Sequence, residues 1–165
     1  MPERPGFSVV YGGGVGAPDT PAAHARRLGR ESLDMLAEVP LFAGLSRRHL
    51  GKIASVASSK RYAQGGALVR VGEPADAFYV ILDGRVRVET PGRLIELTAG
   101  DFFGEMALID GEPRSATVVT MSEVYVLIIS RSKFLKLLHT EPKIALAIMT
   151  TLTRRLRDVQ AAATV

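Results

Sequence analysis

Two charged residues, Glu105 and Arg114, lie in the segment FGEMALIDGEPRSATVV, which runs from Phe103 to Val119. The residues close to them are small, apolar or turn-forming, and both flanking runs have the composition of buried strands. A buried charge is unfavourable unless a partner pairs with it. The two groups could pair with each other as a structural salt bridge, or each could be placed for a polar ligand.

The residues around these two charges favour the ligand. Gly104 allows the backbone to lie close to a bound molecule. The run EMALI is too short for a strand and is expected to form a single helical turn, whose free N–H groups attract anions. A guanidinium that binds an anion through two nitrogens, beside a carboxylate that accepts from hydroxyl groups, makes a phosphate-and-sugar site.

The elements that must position these residues are mostly strands. Between about residues 60 and 130 the apolar residues alternate with a period of two, in short β-branched or aromatic runs closed by turn signals. Such spacing predicts an all-β sandwich or barrel. The segment YVILDGRVRV is predicted to be a hairpin, since Asp83-Gly84 suits a two-residue turn.

Helices are predicted on both sides of the strands. Ser46 is placed as an N-cap before a helix that carries apolar residues on one face. After Ser130 the helical period returns in SRSKFLKLLHT, and Pro142 opens a second helix. Because a residue before proline avoids the α region, a bend is expected at Thr140–Glu141.

The bulk properties predict a soluble, cytoplasmic protein with one domain. The chain has 165 residues, no cysteine, a formal net charge of +4 and a pI near 9.7. The absence of cysteine excludes disulfides and thiolate metal sites. The N-terminal segment is not expected to be a signal peptide, and no apolar run reaches membrane-spanning length. The basic residues are dispersed, so the net charge favours a solvated face over a nucleic-acid site. The segment RRLR near the C-terminus is also interpreted as a solvated face, with a dimer or partner contact as the alternative.

Catalysis and metal binding are not expected. The three histidines, His24, His49 and His139, lie outside the predicted strands, which argues against a metal site of the kind that some jelly rolls hold. No nucleophile lies beside a candidate base, and no histidine lies near the Glu105–Arg114 segment. We therefore predict no catalytic residue and no metal ligand.

The segment FGEMALIDGEPRSATV resembles the phosphate-binding cassette of cyclic nucleotide-binding domains. GEPADAFYVILDGRVRV and PLFAGLS are similar to further signatures of that family, so the resemblance covers about residues 38–160. It implies a mainly β fold with flanking helices: an eight-stranded antiparallel jelly-roll β-sandwich, an N-terminal helix and two C-terminal helices, the last of which is a lid. The predicted divisions are a flexible Gly/Pro-rich tail (residues 1–30), the cyclic nucleotide-binding domain (residues 31–160) and a short tail (residues 161–165).

The resemblance also implies a role for each site residue. Glu105 accepts a hydrogen bond from the ribose 2′-hydroxyl, Arg114 pairs with the cyclic phosphate, and nearby main-chain N–H groups complete the cradle. The implied ligand-binding residues are Gly104, Glu105, Met106, Ala107, Leu108, Arg114, Ser115 and Ala116. Candidate lid contacts are Val159 and Gln160, at positions where the family's transcription activators place two hydroxyl residues.

The base is predicted from Ser115. In this family a threonine after the cassette arginine is associated with cyclic GMP in some members, and an alanine with cyclic AMP in others. Serine occupies this position in the bacterial cyclic AMP activators, so cyclic AMP is favoured over cyclic GMP as the ligand.

The function expected from the resemblance is that of a stand-alone cyclic nucleotide sensor, similar to the sensor half of the bacterial cyclic AMP receptor proteins. Its C-terminal helix would close over the ligand and alter contacts with an unidentified protein partner, in a monomer or a homodimer. The chain reaches Val165 without a helix-turn-helix, so a nucleic-acid partner is not expected. The alternatives are the regulatory domain of a larger channel, transporter or enzyme, and a non-binding cassette that serves as an interaction scaffold.

Overall fold

The computed structural model describes residues 32–163, so the predicted tail over residues 1–30 lies outside the described residues. The helices are α1 (32–37), a 3₁₀ helix (Pro40–Phe42), α2 (Arg47–Ser55), α3 (Ala107–Asp110), α4 (Arg131–Thr140) and α5 (Pro142–Ala163). The strands are β1 (Ser58–Tyr62), β2 (Ala67–Val69), β3 (Ala77–Asp83), β4 (Arg85–Thr90), β5 (Arg93–Thr98), β6 (Phe102–Phe103), β7 (Thr117–Thr120) and β8 (Val124–Ser130).

The strands form two antiparallel sheets of four, in the orders β1-β8-β3-β6 and β2-β7-β4-β5. Alternate residues of both sheets point inward and form one apolar core, which includes Tyr79, Ile81, Val86 and Val118. This arrangement confirms the predicted fold of eight antiparallel strands with flanking helices.

The predicted hairpin at Asp83-Gly84 is wrong. Strand β3 pairs with β6 and β8, whereas β4 pairs with β5 and β7, so the chain changes sheets at this point. Gly84 has φ +95°, and a Cβ there would lie 2.3 Å from the Glu123 carbonyl oxygen. The Asp-Gly pair therefore permits a close crossing beneath the β7–β8 connection. The tight hairpin joins β4 to β5, where Thr90 pairs with Arg93.

A second apolar core lies between the outer face of the first sheet and the helices. The Phe42 ring meets the Phe78 ring edge-on at 6.0 Å and the Phe134 ring at 6.1 Å, and all three side chains are fully buried. Because successive residues of a strand point to opposite faces, Phe78 faces the helices while Tyr79 faces the interior of the roll. Strand β3 is consequently buried on both faces.

The helix ends follow the local sequence signals. The Ser46 side chain accepts a hydrogen bond from the His49 N–H at 3.2 Å, which confirms the predicted cap of α2. Ser130 caps α4 in the same way, through the Lys133 N–H at 3.3 Å. At Glu141 the backbone leaves the helical region (φ −128°, ψ 73°), so α4 and α5 are separate helices, as predicted.

Helix α5 has two different halves. Its first half buries Ile144, Ile148 and Thr151 against the core, where Gly44 of the loop after the 3₁₀ helix comes close to Thr151. Residues 153–163 are exposed throughout. The helix reaches Ala163, beyond residue 160, where the sequence analysis ended the domain. Among residues 32–163, no helix combines the length and the apolar character that crossing a membrane requires.

Candidate ligand-binding site

Arg114 is held by its backbone between the end of the 104–113 segment and strand β7. Its N–H donates to the Glu73 carbonyl at 2.9 Å, and its own carbonyl accepts from the Gly72 N–H at 2.8 Å. The loop before β3 thus fixes the arginine from both sides. The residue is only 7% exposed, which is unusual for an arginine.

The Arg114 guanidinium lies in a niche made by β3 and Gly104. One nitrogen, Nη2, donates to the Ala77 carbonyl at 2.7 Å, and the guanidinium carbon is 5.7 Å from the centre of the Tyr79 ring. Gly104 has φ +83°, and a Cβ there would lie 2.6 Å from Nη1 of Arg114. Glycine is therefore required at position 104 by the guanidinium as well as by the backbone conformation.

The guanidinium is incompletely satisfied. Its Nε is buried and has no hydrogen-bond partner among residues 32–163. Arg114 forms a long ion pair with Asp76, whose Oδ1 lies 3.9 Å from Nη2. Because the Asp76 side chain is 86% exposed, this pair contributes little to stability. A buried cation with an unpaired donor is unfavourable unless an anion completes it. The niche has the charge and the free donor that an anion site requires.

Glu105 lies two residues after the end of β6 and is partly buried. Within residues 32–163 its carboxylate has no recorded hydrogen bond or ion pair, and Arg114 is paired only with Asp76. The two charges that are close in sequence therefore do not form the structural salt bridge that their spacing allowed. Their separate placement leaves both available to a third molecule.

The expected helical turn between them is present as α3. The Leu108 N–H, an expected main-chain donor, is already bonded within the turn to the Glu105 carbonyl at 3.2 Å. The N–H groups of Ala107, Ser115 and Ala116 have no recorded acceptor in the described part of the chain. Three of the four predicted N–H donors thus remain available at the edge of the niche.

The other predicted residues lie at the surface. Met106 is 48% exposed and Ser115 is exposed, so the serine hydroxyl faces outward beside the arginine. Val159 is 66% exposed and Gln160 is exposed, both on the second half of α5. In the described residues no cluster of three or more His, Asp or Glu side chains has the arrangement of a metal site.

Tyr79 is a site residue that the sequence analysis missed. Its ring stacks on Phe103 at 4.8 Å and 8°, directly under the Arg114 guanidinium. Burial raises its pKa above the ordinary 10.0, Tyr62 raises it further, and Arg114 lowers it in part, so the ring stays neutral near pH 7. The available signal was a hydroxylated aromatic residue inside the otherwise apolar run AFYVIL.

The two sheets define a jelly-roll domain, and Arg114 lies buried and incompletely paired within it. The family model described as "Cyclic nucleotide-binding domain" matches residues 59–141, about half of the chain. The chain belongs to this family of cyclic nucleotide-binding domains.

Two similar proteins are a potassium channel and a protein kinase regulatory subunit. A cyclic nucleotide-gated potassium channel of Rhizobium etli is 41% identical over 121 residues, which are 73% of this chain and 34% of the channel. A cAMP-dependent protein kinase regulatory subunit of Aspergillus fumigatus is 37% identical over 62% of this chain and 26% of its own length. The chain thus spans about a third or less of these two relatives.

A solved structure resembles most of the chain. The N-terminal domain of a transcriptional regulator from Streptomyces coelicolor superposes with a TM-score of 0.71 and 30% identity. The match covers 78% of this chain and 96% of that domain. The match therefore covers nearly all of that domain and a larger share of this chain than the 59–141 region.

Proposed function

We propose that this domain is a non-enzymatic sensor that binds cyclic AMP in preference to cyclic GMP and signals through α5. The observation that carries the proposal is the buried Arg114 guanidinium, whose Nε lacks a partner. A cyclic phosphate supplies the missing acceptor oxygens and neutralises the charge. Its binding therefore offsets a cost that the ligand-free protein already bears.

The neighbouring donors and acceptors suit the rest of the ligand. The phosphate oxygens would accept from the N–H groups of Ala107, Ser115 and Ala116 in addition to Arg114, and Glu105 would accept from the ribose 2′-hydroxyl. Charge-assisted hydrogen bonds contribute about 1.5–3 kcal/mol each. Two or three such bonds supply about 3–9 kcal/mol before the cost of ordering the ligand, so contacts with the base are also needed for micromolar binding, which requires about 8 kcal/mol in total.

The preference for cyclic AMP rests on Ser115. Its hydroxyl is exposed beside the arginine and can contact the phosphate or the edge of the base. Serine is the residue that the bacterial cyclic AMP activators carry here, and one of the relatives above is named for its dependence on cAMP. Both points support the choice of base.

The proposed output is a change in the position of α5. Its second half, which includes Leu156 and Val159, is exposed and carries apolar side chains that a bound base would cover. Glu141, whose backbone is outside the helical region, is the proposed hinge. A ligand shifts the helix only if it binds the closed arrangement more tightly than the open one. The identity of the protein partner, a cytoplasmic location and the oligomeric state stay predictions.

The test is calorimetric titration of the chain with cyclic AMP and cyclic GMP. We expect saturable binding of both with a lower Kd for cyclic AMP, and about 2.7 kcal/mol of added stability at a ligand concentration 100-fold above Kd. Arg114→Ala should abolish most of this gain. Arg93→Ala removes an exposed arginine and is the matched control, which should leave it unchanged. Failure of the wild-type chain to bind either nucleotide at millimolar concentration would refute the proposal.

A further inference from the structure

A second arginine, Arg131, bridges two elements of the molecule. It is the first residue of α4, and its N–H donates to the Asp76 carbonyl at 2.8 Å, at the start of β3. Its side chain extends to the last turn of α3, where Nη2 donates to the Ile109 carbonyl at 3.1 Å. A single residue thus connects the short helix of the candidate site to the beginning of the C-terminal helices.

The contact between Arg131 and α3 is close-packed. Gly111, the left-handed residue that ends α3 at φ +64°, lies against the guanidinium, and a Cβ at this glycine would be 3.0 Å from both Cζ and Nε of Arg131. Nε itself is buried and has no hydrogen-bond partner. Buried unpaired donors are rare and require an explanation. In this arrangement the side chain is fixed by packing and one hydrogen bond, without satisfying all of its donors.

We infer that Arg131 is a positioning residue that couples α3 to α4, so that occupation of the nucleotide site changes the position of α5. The inference rests on the proposed function. In the proposed function the N–H of Ala107, the first residue of α3, donates to the ligand, and the other end of this four-residue helix is bonded to Arg131. A shift of α3 on binding must either carry Arg131 with it or break that bond.

The rest of the connection is a rigid element. Helix α4 has ten residues, and Phe134 on its inner face is fully buried. At its end, Lys52 of α2 pairs with Glu141, the proposed hinge. Because α4 is fixed in the core near its middle and held by ion pairing at its end, a displacement imposed at Arg131 alters the angle at Glu141. Packed elements of this kind have discrete arrangements and do not deform continuously.

The experiment measures the α5 position directly. The chain has no cysteine, so Arg93→Cys and Asp158→Cys introduce spin labels at two exposed positions, one on β5 and one on α5. The distance distribution between the labels is recorded with and without cyclic AMP. In the otherwise wild-type chain we expect the nucleotide to shift the distribution.

Arg131→Met keeps the apolar stem and removes the donors. We expect this variant still to bind the nucleotide. The nucleotide should, however, change the ratio of the open and closed positions of α5, as read from the label distances, about fivefold less or weaker still than in the wild type, and fivefold is the lower end of ordinary allosteric coupling. Arg131→Lys restores a donor for the Ile109 carbonyl and should recover part of the shift. Lys133→Gln, on the same helix and exposed, is the matched control and should retain all of it.

The outcomes are distinguishable. A full distance shift in Arg131→Met overturns the inference but not the proposed nucleotide binding. A wild-type chain that binds the nucleotide without any distance shift has the same consequence. Absence of wild-type binding by calorimetry refutes the proposed function and this inference with it. If Arg131→Met does not fold, Gly111→Ala is used in its place, because the new Cβ displaces the same guanidinium. Gly92→Ala is its control, since it introduces the same strain of a positive φ at a site where a Cβ meets no described atom within 4 Å. An undiminished shift in Gly111→Ala then overturns the inference.

Discussion

Replacing Gly104 by alanine tests whether the arginine niche is the ligand site. The new Cβ would lie 2.6 Å from Nη1 of Arg114 and 3.3 Å from the Ala77 carbonyl oxygen. The guanidinium must move, and it then loses its 2.7 Å hydrogen bond to Ala77. Alanine at φ +83° adds backbone strain of about 1–2 kcal/mol.

The expected magnitudes follow from these two effects. Strain alone lowers the free energy of unfolding by about 1–2 kcal/mol, and the lost hydrogen bond of a charged donor adds about 1.5–3 kcal/mol. If Arg114 also loses one bond to the phosphate, the nucleotide Kd rises by about 10- to 100-fold, since 1.4 kcal/mol corresponds to a factor of ten. Stability is measured by urea unfolding and affinity by calorimetry.

Gly92→Ala separates strain from displacement. Gly92 has φ +79°, close to that of Gly104, and a Cβ there meets no atom within 4 Å. This variant should lose only the strain component and bind nucleotide like the wild type. The reasoning is refuted if Gly104→Ala binds as tightly as the wild type, or if the two variants lose equal stability.

Two further predictions concern the helices that carry the proposed signal. Hydrogen bonding to Lys52 lowers the pKa of Glu141 below 4.5, so the pair stabilises the fold above that pH and the contribution is lost as the pH falls through the folded-state value. In urea unfolding, Glu141→Gln should therefore be less stable than the wild type at neutral pH and equal to it in acid. Glu38→Gln, at an exposed position, is the control and should show no such difference. Equal stability of Glu141→Gln and the wild type at neutral pH would contradict this prediction. Phe134→Ala should lower the free energy of unfolding by about 3–5 kcal/mol, because the ring is fully buried. Leu146→Ala, at a side chain that is 61% exposed, should change it by less than about 0.5 kcal/mol, and comparable losses in both variants would count against the packing described for α4.

Local signals predicted the helix ends because their physical cause is local. A serine hydroxyl caps the N–H three residues ahead, so Ser46 was identified from its neighbours alone. Pro142 disfavours the α region for Glu141 in the same short-range way. Strand positions were predictable from the period-two pattern for a similar reason. The flanking helices and a set of strands between about residues 60 and 130 could therefore be expected from these patterns, whereas the number of eight strands was implied only by the resemblance to the cyclic nucleotide-binding domains.

Sheet membership could not be predicted, because it depends on partners distant in sequence. Asp83-Gly84 has the composition of a hairpin turn, yet the strands on either side pair with β8 and β7, which lie about forty residues away. Strand β3 is buried on both faces, so its apolar run gives no sign of which face meets which core. Gly104 was expected to lie close to a ligand, which stays a prediction, and its close approach to Arg114, ten residues further along the chain, was not predicted.

The arginine niche makes stability and binding depend on the same atoms. Arg114 is 7% exposed with an unpaired Nε, and the ligand-free fold must tolerate this cost. The hydrogen bond to Ala77 and the Tyr79 ring hold the guanidinium in place before any ligand arrives. If the proposed function holds, a phosphate gains a donor that is already oriented, and the entropy of ordering the arginine is not lost at the moment of binding. A chain that replaced Arg114 with an apolar residue of similar volume should therefore be at least as stable as the wild type while losing the nucleotide.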